Sequence, residues 1–238
     1  MTNDEIGDLL RQFYKLFGRP EEGPPPDLNV SKLIGTPISQ TELEVLRDSL
    51  ADTKLRQQFA ECQQIIEDLA TRLTSKELLR DLSGISLSDR DFEELYSRVL
   101  WFSLAATLDK REGNLPLTPF DEQIALPMPV KIMMTVQGSL VMRLYIALVC
   151  MREGVLYNLI NRGAHNGSRC CQQILILLNS DYLRRIRNAL SHGTFSSSIA
   201  GLVFRDDHGA VVATPGFLNW LSTWIMAINL QAVASGLK

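Results

Sequence analysis

Apolar residues recur at steps of three and four along most of this chain, the spacing of amphipathic helices. Ile6, Leu9, Leu10, Phe13 and Phe17 make one such stripe over residues 3–18. Gly18 to Asp27, with Pro20, Pro24, Pro25 and Pro26, cannot continue a helix, so a stiff extended linker is expected over residues 19–30. Helical patterning resumes from Ser39 with Leu43, Leu46 and Leu50. A second register then runs through Leu55, Phe59, Cys62, Ile66, Leu69 and Leu73. The five-residue step from Leu50 to Leu55 separates the two, and Asp52 suits the N-cap of the second. Steps of four and three also describe a heptad seam, but a short one. A helical hairpin packed on the rest of the fold is the expectation in preference to an independent coiled coil.

Ser88-Asp89-Arg90-Asp91 has the form of a capping box, and the helix after it carries Phe92, Leu95, Val99, Phe102 and Ala106 toward a stop near Gly113. Leu115–Pro129 is a long Pro-containing loop, a candidate functional segment. A long helix is expected over residues 130–162. Its most apolar part, Ile132–Met151, contains Gln137 and Arg143, which favours a buried core helix over a membrane span. Gly163, Asn166 and Gly167 break the pattern, and Ser168 can cap the next helix. Asn179 and Ser180 mark another start, giving a helix over residues 181–192 with Gly193 at its C′ position. Ile199–Arg205 and Ala210–Thr214 are β-prone runs joined by Asp206-Asp207-His208-Gly209, a hairpin signal. Pro215 then opens a terminal helix carrying Phe217, Leu218, Leu221, Ile225, Ile228 and Leu230. The sum is an all-α protein: an N-terminal helical extension over residues 1–84, then a domain over residues 85–238. That domain reads as a four- or five-helix bundle with a small inserted β-hairpin at about residues 199–214.

Composition is that of an ordinary folded chain, 45% hydrophobic and 21% charged. The net charge of −3 hides an asymmetry. Residues 1–130 carry 14 Lys and Arg against 23 Asp and Glu, whereas residues 131–238 carry 10 against 4. An anionic partner for the basic half would explain this, and so would two halves that pack on each other. Cys62, Cys150, Cys170 and Cys171 lack the paired spacing of a zinc site and fit free thiols in a reducing cytoplasm. The N-terminal Met-Thr-Asn-Asp-Glu has no signal-peptide pattern. Neither a metal nor an organic cofactor is expected.

The basic half holds Arg187-Asn188-Ala189-Leu190-Ser191-His192, with Arg184 and Arg185 just upstream and Gly193 directly after. A guanidinium offers planar paired donors to a phosphate, and a histidine titrates near neutral pH. Such side chains can cut RNA without metal: one shuttles protons while the 2′-OH attacks phosphorus, and the other stabilises charge on the phosphoryl oxygens. At about 100° per residue, Asn188 and His192 share a helix face, but Arg187 and His192 lie about 140° apart. Either the helix loosens toward Gly193 or another chain completes the site.

The string resembles the Arg-(four to six residues)-His signature of the HEPN superfamily (higher eukaryotes and prokaryotes nucleotide-binding domains), in its form with Asn after Arg. It is most similar to the plasmid- and defence-associated bacterial members. The resemblance covers about residues 85–238 and is firmest over residues 180–205. It implies a metal-independent ribonuclease that leaves a 2′,3′-cyclic phosphate and a 5′-hydroxyl, with motif helices meeting across a homodimer's two-fold axis. It also implies roles: His192 as acid/base, Arg187 as phosphate and transition-state stabiliser, Asn188 as orienting group, and Arg184 and Arg185 as RNA-backbone contacts. A toxin or anti-phage setting, with an antitoxin or regulatory partner, goes with it. Toxins of this superfamily silenced by a nucleotidyltransferase antitoxin carry Tyr two residues after the His, where this chain has Thr194 followed by Phe195.

Other candidates are bland. His165 reads as a loop residue and His208 as a turn residue; Glu93-Glu94 and Asp206-Asp207 read as solvated surface. Two alternatives stand beside the nuclease: a non-catalytic HEPN module binding RNA, a nucleotide or a protein, and a helical interaction protein using the Leu55–Leu73 seam.

Overall fold

The computed structural model describes residues 3–18, 40–109, 138–150, 152, 154–198 and 200–237. The expected linker at residues 19–30, the stop near Gly113 and the Leu115–Pro129 loop lie outside them. The described residues are mostly helical, with ten α-helices and one small antiparallel sheet. The helices are α1 (Asn3–Phe17), α2 (Gln40–Ala51), α3 (Thr53–Thr74), α4 (Glu77–Leu82), α5 (Asp89–Asp109), α6 (Gly138–Leu144), α7 (Val155–His165), α8 (Arg169–Asn179), α9 (Asp181–His192) and α10 (Pro215–Gly236). None is long and apolar enough to cross a membrane.

Local chemistry explains most of the boundaries. Asp52 caps α3 by accepting the Leu55 N–H at 2.9 Å. Before α5, Ser88 Oγ accepts the Asp91 N–H, and the Asp91 carboxylate accepts the Ser88 N–H, both at 3.2 Å. That reciprocal pair satisfies two of the donors that a helix start leaves unpaired. Ser168 caps α8 through the Cys171 N–H, and Thr214 caps α10 through the Phe217 N–H with Pro215 in the first turn.

The single long helix expected over residues 130–162 is two helices. α6 runs on as π-helical turns over Tyr145–Cys150, and α7 starts afresh after Gly154, whose backbone is extended. Glu94 on α5 explains the break: its Oε1 accepts the Val155 N–H at 3.0 Å and the Arg98 guanidinium at 2.6 Å. A Cβ on residue 154 would meet the ends of both side chains, which would have to shift to admit it. The described part of residues 85–238 therefore holds six α-helices, one more than the upper expectation.

The insertion is also larger than a hairpin. Three strands, β1 (Phe195–Ser198), β2 (Gly201–Asp206) and β3 (Gly209–Ala213), pair antiparallel in that order. Phe195 lies opposite Phe204, and Leu202 opposite Ala213. β1 is mostly serine, weak strand-forming sequence that pairing with β2 holds in place.

One hydrophobic core runs through both parts of the chain, across the boundary at residue 84. All six seam residues of α3 are buried in it, packed against α8, α9 and α10. Aromatic rings mark the continuity. Phe13 stacks on Phe17 at 4.9 Å, and Phe17 meets Phe59 at 5.3 Å. Phe59 in turn meets Tyr182 of α9 at 5.3 Å and Phe217 of α10 at 4.8 Å. Leu230, expected on the buried stripe of α10, is exposed.

Candidate site on the motif helix

The motif helix α9 is closed at both ends by its own sequence. Ser180 precedes it and accepts the Leu183 N–H. Gly193 ends it at φ 70°, a left-handed conformation suited to glycine, and donates its N–H to the Ala189 carbonyl. Between these stops the helix is α-helical through His192, so it does not loosen toward Gly193. Tyr182, Leu183, Ile186, Ala189 and Leu190 form its buried face. The other side chains of the helix fall on the opposite arc, with Arg187 at one edge, Arg185 at the other, and Ser191, Arg184, Asn188, Asp181 and His192 between.

The sheet holds this helix in place. The Tyr182 hydroxyl donates to the Val212 carbonyl at 3.3 Å from full burial. Arg185 also turns to the sheet: its Nε lies 3.3 Å from Asp206 Oδ1 and its Nη2 donates to the His208 carbonyl at 3.2 Å. The side chains of Arg185 and Asp206 are only 11% and 7% exposed, so this pair is structural. Asp206, read with Asp207 as solvated surface, is instead turned inward, whereas Asp207 is exposed. Asp206 Oδ1 also accepts the His208 N–H, which fixes the turn.

The remaining motif side chains face outward. His192 is exposed and makes no hydrogen bond among the described residues, and Asn188 is half-buried. Arg184 pairs with Asp181 at 2.9 Å on the surface. Arg187 is half-buried and donates through Nη1 to the Leu178 carbonyl at the end of α8, at 3.2 Å. Burial first, then the nearby Arg152 and Arg184, push its proton affinity below the usual arginine value. It stays a cation in a crowded positive neighbourhood.

Arg152 is the residue that sequence reasoning missed. It lies in the break between α6 and α7, is exposed, and donates through Nη1 to Asn179 Oδ1 at 2.8 Å. Its guanidinium carbon stands 5.6 Å from the centre of the Tyr157 ring. The Gly154 interruption was the available signal, but nothing in the sequence pairs residue 152 with residue 179.

The other candidates fall elsewhere. His165 is the last residue of α7 rather than a loop residue, and its Nδ1 donates to the Asn161 carbonyl at 2.8 Å. It lines an open cavity of about 540 Å³ with Gly84, Ile85, Ser86, Asn161, Arg162 and Asn166, none of them on α9. Cys62, Cys170 and Cys171 are buried, and burial pushes Cys62 and Cys170 up to about 12, so both stay protonated thiols. No group of three or more metal-ligating side chains occurs among the described residues.

No known family's sequence pattern, no curated protein and no solved structure matches this chain. Its function therefore rests on the site itself.

Proposed function

We propose that this chain is a metal-independent endoribonuclease of the HEPN type, with a composite site assembled across a homodimer. The observation that carries the reading is the polar face of α9, which presents Arg187, Arg184, Asn188 and the exposed His192 on one helix. In the proposed reaction the 2′-oxygen forms a bond to the adjacent phosphorus while the bond from phosphorus to the 5′-oxygen breaks. His192 takes the proton from the 2′-OH and a proton is returned to the leaving 5′-oxygen. Arg187 stabilises the charge on the non-bridging oxygens, and Asn188 orients His192 or the phosphate. Because α9 stays regular, Arg187 and His192 diverge on one protomer. A two-fold interface placing two such faces together would set the Arg187 of each copy toward the His192 of the other. The exposure of His192 on that face supports this. A toxin or anti-phage role, held in check by a partner, is the setting in which such an enzyme fits.

The half-burial of Arg187 and its bond to Leu178 favour a second reading, in which the same surface binds RNA without cutting it. One assay separates the two. RNA cleavage is expected to persist in EDTA, to leave 2′,3′-cyclic phosphate ends, and to fall at least about 100-fold in His192→Ala, the usual scale of a lost acid–base group. Arg187→Ala should be comparably inactive while remaining folded and dimeric. Cleavage that needs added metal, or that survives both substitutions, sinks the nuclease; salt-sensitive RNA binding without products leaves the binding module.

A further inference from the structure

Arg152 and Arg187 come from different elements, yet both are anchored on consecutive residues at the end of α8. Arg187 donates to the carbonyl of Leu178, and Arg152 to the side-chain oxygen of Asn179. The Tyr157 ring braces Arg152 as well, at 5.6 Å from its guanidinium carbon. Each guanidinium has five N–H donors and shows one such bond, so most of the donors on both remain for a ligand. Among the described residues neither meets a carboxylate within ion-pair distance; the carboxylate paired in this neighbourhood is Asp181, and it serves Arg184. Among the described residues, three guanidiniums stand against this one carboxylate, a positive excess that an anion with several acceptor oxygens relieves. Packing alone does not call for this. Arginines at a helix C-terminus are favoured by the dipole, but that accounts for Arg187 on the Leu178 carbonyl and not for Arg152 on the Asn179 side chain.

We infer that Arg152 and Arg187 form a two-guanidinium clamp for a phosphodiester of single-stranded RNA, with Arg152 a binding residue outside the Arg-His motif. The inference deepens the RNA-processing reading of α9 and rests on it for the identity of the polyanion. Arg152 holds the strand, and Asn179 and Tyr157 are positioning residues that keep its fork aimed.

Binding of a short 2′-O-methyl oligoribonucleotide, which has no 2′-OH to attack, tests the clamp apart from cleavage. Fluorescence anisotropy over a salt series gives the slope of log affinity against log salt, and one lost phosphate contact lowers that slope by about 0.7 for a single strand. Arg152→Gln is expected to lower it by that amount. Asn179→Asp is the discriminating variant. It keeps an oxygen for Arg152 to donate to but places a carboxylate against the guanidinium, so it should also lower the slope. If Arg152 merely ties its segment to α8, Asn179→Asp strengthens that tie and leaves RNA binding unchanged. Unchanged slopes in both variants, with wild-type cleavage intact, overturn the clamp and spare the nuclease. Lowered slopes with no cleavage by the wild-type chain support the clamp and remove the nuclease. Absence of any salt-dependent RNA binding by the wild-type chain overturns both.

Discussion

Glu93 and Glu94 are chain neighbours with opposite surroundings. Glu93 is exposed, whereas Glu94 accepts from Arg98 and from the first N–H of α7, and so fixes where that helix begins. Removing the carboxylate leaves a largely buried guanidinium without its partner and a helix start without its cap. Glu94→Ala is expected to lower stability by about 1–2 kcal/mol, the scale of a charged hydrogen bond discounted for partial exposure. Glu93→Ala should fall within about 0.5 kcal/mol of the parent, as surface changes do. Urea denaturation of the two variants checks the contrast, and equal losses would show that Glu94 does no more than its neighbour. Arg185 and Arg184 make a second such pair. One is neutralised against the sheet by Asp206, while the other stays on the surface within reach of a ligand. Of the two, Arg184 is the one whose guanidinium stays on the surface.

At the scale of an element, the capping box of α5 carries a pH dependence. Hydrogen bonds to Ser88, first to its side chain and then to its backbone, hold the Asp91 carboxyl below its ordinary value. A carboxyl lowered by folding contributes stability that is fully present above its unfolded value, about 3.9 for Asp. That contribution is lost as pH falls through the lower folded value. Thermal melts from neutral to acid pH should therefore show part of the acid-limb destabilisation missing in Asp91→Asn, and an unaltered acid limb would speak against the assignment. Ser88→Ala, which removes the cap, is expected to cost about 1 kcal/mol at neutral pH. α9 is the other element whose ends and faces are built by local rules. Ser180 and Gly193 define its length, and its buried face leaves Arg184, Asn188 and His192 on the outward arc. An interrupted helix upstream adds Arg152 to that arc's surroundings.

For the whole molecule, the described N-terminal helices are part of the support of α9. Phe59 meets both Tyr182 and Phe217, and Phe17 of α1 packs on it with Phe13 stacked behind. Phe59→Ala is expected to cost about 3–5 kcal/mol, as large-to-small core changes do. That is a large share of ordinary domain stability. Amide exchange should accelerate along α9 in the same variant, and unchanged protection there would mean that residues 1–84 are merely appended.

Sequence alone determined what depends on neighbours a few residues apart. Helical periodicity, the caps at Asp52, Ser88, Ser168 and Ser180, the stop at Gly193 and the Asp206–Gly209 turn are all such cases, because local sterics and short-range hydrogen bonds decide them. The divergence of Arg187 and His192 was legible for the same reason, being set by helix geometry. Tertiary structure decided what depends on residues far apart in the chain. It broke the 130–162 pattern at Gly154, where Glu94 from a distant helix accepts the Val155 N–H that starts α7. It made a strand of a serine run by giving it β2 to pair with. It placed Arg152 beside Asn179, turned Arg185 against Asp206 of the sheet, and packed the described N-terminal helices into the core beneath the motif. Periodicity records which face of an element is apolar, but not which distant element that face will meet.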